Sequence, residues 1–386
     1  MPGKRNKTRR RGMALIVVLI IIMAITVLSI GFLSRSDVEL ACGENMILKT
    51  QMDYLAESAL EHAKGLILNP QDVASEYWAG AEDQQLVAGS DDYYDVAIVR
   101  DDPNLCNYFI NCEAYRLKGG QRIGSSSLTA KLRIDPYIAY WQSGNQPISS
   151  QVTITGDVYC ASSVQIQGMV NGDVFAAGNI TGSGVVVGQR NESVAAAPVN
   201  SPGLAYSDFY PQYYYNGSGP YTVKELSEEE YAGLPGPGMN NPASVYYRDG
   251  SLSLNANIVI NGTLVVKDDL TFDGNEGATV AITPLKNFPA LLVGQNIIML
   301  NNNLTLSITG FAQVDGHIDM GDKTGSSINV LGALYVLGGG IMNTTGCIVE
   351  ITAAPDKAAI EIWPEPGTAQ RWSPAAGAFF KGIERQ

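Results

Sequence analysis

Residues 13–33, MALIVVLIIIMAITVLSIGFL, run for 21 positions without a charge. The hydrocarbon core of a bilayer takes about 20 apolar residues as a helix, so this run is long enough to span one. Six basic residues (Lys4, Arg5, Lys7, Arg9, Arg10, Arg11) and no acid precede it within 1–12, and Arg35, Asp37 and Glu39 follow it. That asymmetry keeps the N-terminal side cytoplasmic and puts the body outside. A cleaved secretory signal has a shorter apolar core, about 7–15 residues, and ends at an A-x-A-like site, which does not follow here directly.

Charge narrows the partners. The chain has Lys+Arg 25 against Asp+Glu 38, net −13, and outside the first twelve residues the balance is 19 against 38. So acidic a body repels phosphate, which argues against nucleic acid. Two histidines, His62 and His317, leave little for a His-based metal centre or proton relay. The 41 glycines with only 16% charged residues fit a turn-rich β protein rather than a disordered chain.

A basic leader ending Arg10-Arg11-Gly12, with the apolar run starting at once at Met13, resembles the prepilin-peptidase junction of type IV pilins and type II secretion pseudopilins. The resemblance implies cleavage after Gly12 and methylation of the new N-terminal Met13. Most members carry Glu as the fifth mature residue, where it neutralises a neighbour's N-terminal amine. Here that position is Val17, and such a departure from Glu is the pattern of the tip-located minor pseudopilin and also occurs in PilX-type pilus assembly proteins. The segment QMDYLAESALEHAK is also similar to PilX-type proteins. The plainer alternative is a single-pass anchor.

Leu48, Met52, Leu55, Ala59, Ala63 and Leu66 lie three or four residues apart and make one apolar helix stripe. No proline occurs between Pro2 and Pro70. One helix is therefore expected over 13–68, roughly 80 Å at about 1.5 Å per residue, with 13–33 in the membrane. A small α+β head is expected over 69–136. Its alternating strands carry Tyr94, Val96 and Ile98; Tyr108, Ile110, Cys112 and Ala114; and Leu128, Ala130, Leu132 and Ile134.

Residues 137–150 read as a linker. From 151 to 355 short apolar pairs alternate with recurrent Gly and Asn, the texture of a stacked β-solenoid. The segment ITGDVYCASSVQIQGMVNGDVFAAGNITGSG resembles the coils of bactofilins. A jelly-roll β-sandwich is the competing architecture. The overall class is thus α+β: a pilin-like helix with a small antiparallel sheet, then a mostly β region. An insertion over 200–247 is rich in Tyr, Pro and Gly, and its tyrosines serve either a surface ligand or the shielding of the solenoid's flank. Residues 356–386 form a tail expected to cap the coils.

Chemistry is sparse. No GxSxG, Walker A or HExxH motif stands in a supporting context, so no catalytic residue and no cofactor is assigned. Asp315, Asp319 and Asp322, around His317, are the densest acidic group and the one weak Ca²⁺ candidate. Solvated solenoid corners are the plainer reading, because Asp favours turns. Cys106 and Cys112, if in one extended strand, lie about 20 Å apart, so a bridge needs an intervening turn. Cys160 and Cys347 read as interior apolar residues.

Together these observations lead us to expect a non-enzymatic minor pilin-like subunit of a pilus or secretion pseudopilus, at or near the tip. It would begin in the bacterial inner membrane with its N-terminus cytoplasmic and its body periplasmic or extracellular. Its partners would be other pilins, the inner-membrane assembly platform and the prepilin peptidase. The alternative is a membrane-anchored carbohydrate-binding or carbohydrate-active β-helix protein.

Overall fold

A computed structural model describes residues 9–68, 79–101, 106–209, 224–227, 234, 236–238, 241, 243–285, 288–362 and 370–385. Helix α1 (Arg9–Leu68) is continuous for 60 residues, as the absence of proline allows. Its two halves live differently. Residues 13–47 are exposed throughout, whereas Met52, Leu55, Ala56, Ala59, Leu60, Ala63 and Ile67 are buried. Leu66, expected on the stripe, is only half-buried, and Ile67 takes the core position. Ala59, Ala63 and Ile67 keep a strict spacing of four, which the helical repeat holds on one face.

That face packs on an antiparallel sheet. Strands β1 (Gly80–Gln84), β2 (Asp92–Arg100), β3 (Asn107–Lys118) and β4 (Gln121–Ile134) lie in chain order. Every residue expected on the inner faces of the three alternating runs is buried. Gly119 and Gly120, at φ +60° and +79°, make the tight turn between β3 and β4, where two positive φ angles match the strand twist. Gly124 lets the helix close onto β4, since a Cβ there would lie 2.7 Å from the Leu48 side chain.

The mostly β remainder is built from parallel pairings. Val158 faces Val174 and Val174 faces Arg190, sixteen residues on each time. A second ladder joins Thr153, Met169 and Val185 at the same interval. Residues 245–353 pair likewise, for example Leu306 with Ile328 and Val330 with Ile351. Val152, Ile154, Ile308 and Val330, on the inner faces, are all buried.

Three sequence expectations change here. The segment 137–150 is more than a linker: Ile138–Gln142 is a fully buried strand, because IAYWQ supplies the apolar run and the polar residues after it only turn a corner. The two strand-rich blocks also stack in reversed order. Leu334 pairs with Tyr140 and Val349 with Val152, so the end of the second block lies against the beginning of the first. The tail, finally, does more than cover the stack. Trp372 packs on Phe311 and Tyr335 at 4.9 and 5.4 Å between ring centroids. The chain then runs back beside 135–138, and Ala378–Arg385 pairs antiparallel with β4 as a fifth strand of the head sheet.

Candidate functional site

The most conspicuous feature is the half of α1 that no other described residue covers. Met13 is 71% exposed, Val17 50% and Phe32 71%, and 13–47 holds most of the large exposed hydrophobic side chains. Free apolar surface of this extent marks a membrane or partner contact. The helix is the one element among the described residues long and apolar enough to cross a membrane. The same rigid rod carries the head: Tyr94 Oη lies 2.9 Å from His62 Nδ1, and Arg385 of the last strand pairs with Glu57.

The residues of the expected processing junction fall on this rod. Gly12 and Met13 lie within the first turns of α1, and Val17 is exposed one turn beyond Met13. Residues 1–8 of the basic leader lie outside the described residues.

The corner carboxylates have a different employment. Asp157 Oδ1 accepts the Asp173 N–H at 2.8 Å, and Asp173 Oδ1 accepts the Gln189 N–H at 2.7 Å. Asp269 accepts the Asn296 N–H at 3.0 Å, and Asn296 Oδ1 accepts the His317 N–H at 3.1 Å. Each corner oxygen thus satisfies a backbone donor on the next rung. The three candidate Ca²⁺ ligands also bond within the chain, but of them only Asp322 accepts from a backbone N–H on the next rung. Asp315 accepts from Gln313 Nε2, Asp319 from the Gly321 N–H and Asn343 Nδ2, and Asp322 from the Thr345 N–H, each at 2.8 Å. Among the described residues no group of three His, Cys, Asp or Glu is placed to hold a metal ion. Hydrogen bonds of this kind are what turn-forming Asp residues make.

The sequence reading missed the register behind this. Gly156-Asp157-Val158 recurs as Gly172-Asp173-Val174, and Gly188 opens the next rung. The glycines are required by close approach: a Cβ on Gly172 would lie 2.2 Å from the Gly156 carbonyl oxygen, and one on Gly188 2.5 Å from that of Gly172. The repeated GDV triplet was the available signal.

The buried cysteines Cys112, Cys160 and Cys347 are not set up as reactive thiols. Cys112 lies in β3 and Cys106 in the turn just before it, no turn separates the two, and all five cysteines are free. Burial pushes the Cys112 and Cys160 thiols up to about 12, so they stay protonated. Cys347 is buried and donates to the Lys323 carbonyl at 3.2 Å.

Of the Tyr/Pro/Gly-rich insertion, Tyr210, Tyr213, Tyr214, Tyr215 and Tyr221 lie outside the described residues. The part before them is packed against the stack. Leu204 and Phe209 are buried, Gln313 Nε2 donates to the Leu204 carbonyl at 2.7 Å, and Phe209 meets Phe288 edge-on. This portion shields the flank.

No protein-family profile matches the chain, and no curated protein sequence matches it. Among solved structures, the competence-associated pilin ComZ from Thermus thermophilus aligns over 88% of this chain and 97% of its own. The identity is 10% and the TM-score 0.24, at which two folds cannot be equated.

Proposed function

We propose that this protein is a non-enzymatic minor pilin-like subunit, held in the inner membrane by α1 before assembly and docked through the same helix afterwards. The observation that carries the proposal is the uncovered apolar half of α1, continuous with the stripe on which the head sheet is built. A helix half packed and half bare needs lipid first and other helices later. The junction at Gly12 and Met13 supports processing by a prepilin peptidase. On this reading the partners are other pilins and the inner-membrane assembly platform, and the body lies on the periplasmic or extracellular side. The regular parallel ladders support reading the body as a β-solenoid, in which each coil covers the apolar face of the next.

Val17 bears on position in the fibre. An N-terminal amine buried among apolar helices without a carboxylate costs several kcal/mol. A subunit with Val17 offers no such carboxylate to one assembled ahead of it, and a subunit at the tip has nothing ahead. The bulk of the body beyond the head favours the same place.

N-terminal sequencing and intact-mass measurement of the membrane-extracted protein test the reading. In cells with active prepilin peptidase the chain should begin at Met13, and Gly12→Val should leave the leader attached. A mature chain that still begins before Met13 rejects it.

A further inference from the structure

A cleft of about 580 Å³ lies where the head meets the stack, unrelated to the bare helix. Arg133 lines it from the head side and Asp157, Thr155, Asn171 and Thr352 from the stack, with Tyr137 in its wall. Its size falls within the range of small-molecule sites.

Its polar groups have bonding capacity to spare. Arg133 Nε is buried and makes no hydrogen bond, although the Asp135 carboxylate lies 3.4 Å away. The Arg133 side chain as a whole is 41% exposed, although Nε itself is buried. Asp157 is 5% exposed, and its two oxygens accept one N–H each, from Asp173 and Tyr137, both at 2.8 Å. A carboxylate has about four acceptor positions, so two remain. The side chains of Thr155, Thr352 and Asn171 make no hydrogen bond to another described residue. Thr155 and Thr352 are cross-strand partners and Asn171 is the next partner of Thr155, so three polar side chains stand in one column about 4.8 Å apart.

We propose that this cleft binds a neutral polyhydroxylated ligand, a sugar ring or the end of an uncharged glycan. Hydroxyls both donate and accept, and they suit a row of Thr and Asn side chains with a guanidinium at one end and a carboxylate at the other. An anion would meet Arg133 but also Asp135, Asp157 and a chain of net charge −13. A cation would meet Arg133. The inference is independent of the pilus role and stands or falls separately.

The test uses the full chain in a zwitterionic detergent without a sugar headgroup, titrated with glucose, galactose and N-acetylglucosamine, and with glucuronate as the anionic counterpart, by ligand-observed NMR. At least one neutral sugar should bind saturably, with Kd in roughly the millimolar range. Thr155→Val and Thr352→Val should each weaken it about fivefold, the worth of one neutral hydrogen bond. Thr309→Val, on the same stack but outside the cleft, should change nothing, and unchanged urea midpoints would show that all three variants fold. The proposal fails if no neutral sugar saturates, if Thr309→Val weakens binding as much as Thr155→Val, or if glucuronate binds more tightly than every neutral sugar.

Discussion

At the scale of the residue, the acids and amides of this chain serve hydrogen-bond bookkeeping more than chemistry. Their types were legible as corner residues, but which rung each one braces was not, because that depends on which strand arrives beside it. Asp157 is the clearest case. Burial raises its carboxyl to about 6 against an ordinary 3.8, in spite of the two backbone N–H groups that pull it down. A raised folded pKa means that the fold prefers the protonated acid. The corresponding stability is present below about pH 4, is lost as pH rises towards 6, and stays lost above. The size is on the order of 2 kcal/mol. Denaturant unfolding of the wild type and Asp157→Asn at pH 4 and pH 6.5 should show their difference in stability changing by about that amount, to the disadvantage of the wild type at the higher pH. A difference independent of pH would contradict the assignment.

At the scale of the element, periodicity carried most of the information. Alternation found the inner faces of β2, β3 and β4, and the three-to-four spacing found the buried side of α1. The last turn was misread because Leu66 and Ile67 are equally apolar. Only the sheet beneath decides which of them points inward. The short parallel strands depend on apolar residues stacked in line, of which Ile166 and Val330 are 0% and 3% exposed. Ile166→Asp or Val330→Asp would bury an unpaired charge and should cost several kcal/mol. Near-UV circular dichroism and urea midpoints should register the loss. Midpoints within experimental error of the wild type would mean that these side chains do not line a dry interior.

At the scale of the whole molecule, the stack is an insertion between two neighbouring strands of the head sheet. The chain leaves β4 at Ile134, builds the stack, and returns to pair with β4 through Ala378–Arg385. The outgoing and returning segments are bonded side by side, Ile138 N–H to the Pro374 carbonyl at 2.8 Å and Ala376 N–H to that of Pro136 at 3.0 Å. An ion pair between half-buried Arg100, at the end of β2, and buried Asp356 at 2.7 Å ties the head to the stack. Removing 378–385 should therefore expose the edge of β4 while sparing the stack. Hydrogen exchange should quicken at Leu128–Arg133 and stay slow at Leu306 and Ile328. Unchanged protection along β4 would show that the last strand is dispensable. In the fibre, the proposed tip position predicts few copies: mass-spectrometric counting of sheared filaments should find this subunit far below the major pilin. Comparable amounts along the shaft would exclude the tip.

The sequence by itself determined whatever depends on neighbours a few positions apart: the unbroken helix, the bare membrane-length half, the alternating head strands and the turn-rich β texture of the body. These follow from local periodicity and from the cost of burying charge, which act on any window of the chain. Only the tertiary structure decided that the second block of strands stacks back onto the first, and that the final eight-residue strand completes a sheet begun near residue 80. It also decided that Arg133 and Asp157 line one cleft. Parallel pairing requires only an apolar partner of matching register, and many stretches of this chain meet that condition. The choice among them is made by the simultaneous closure of every rung, which no local pattern records.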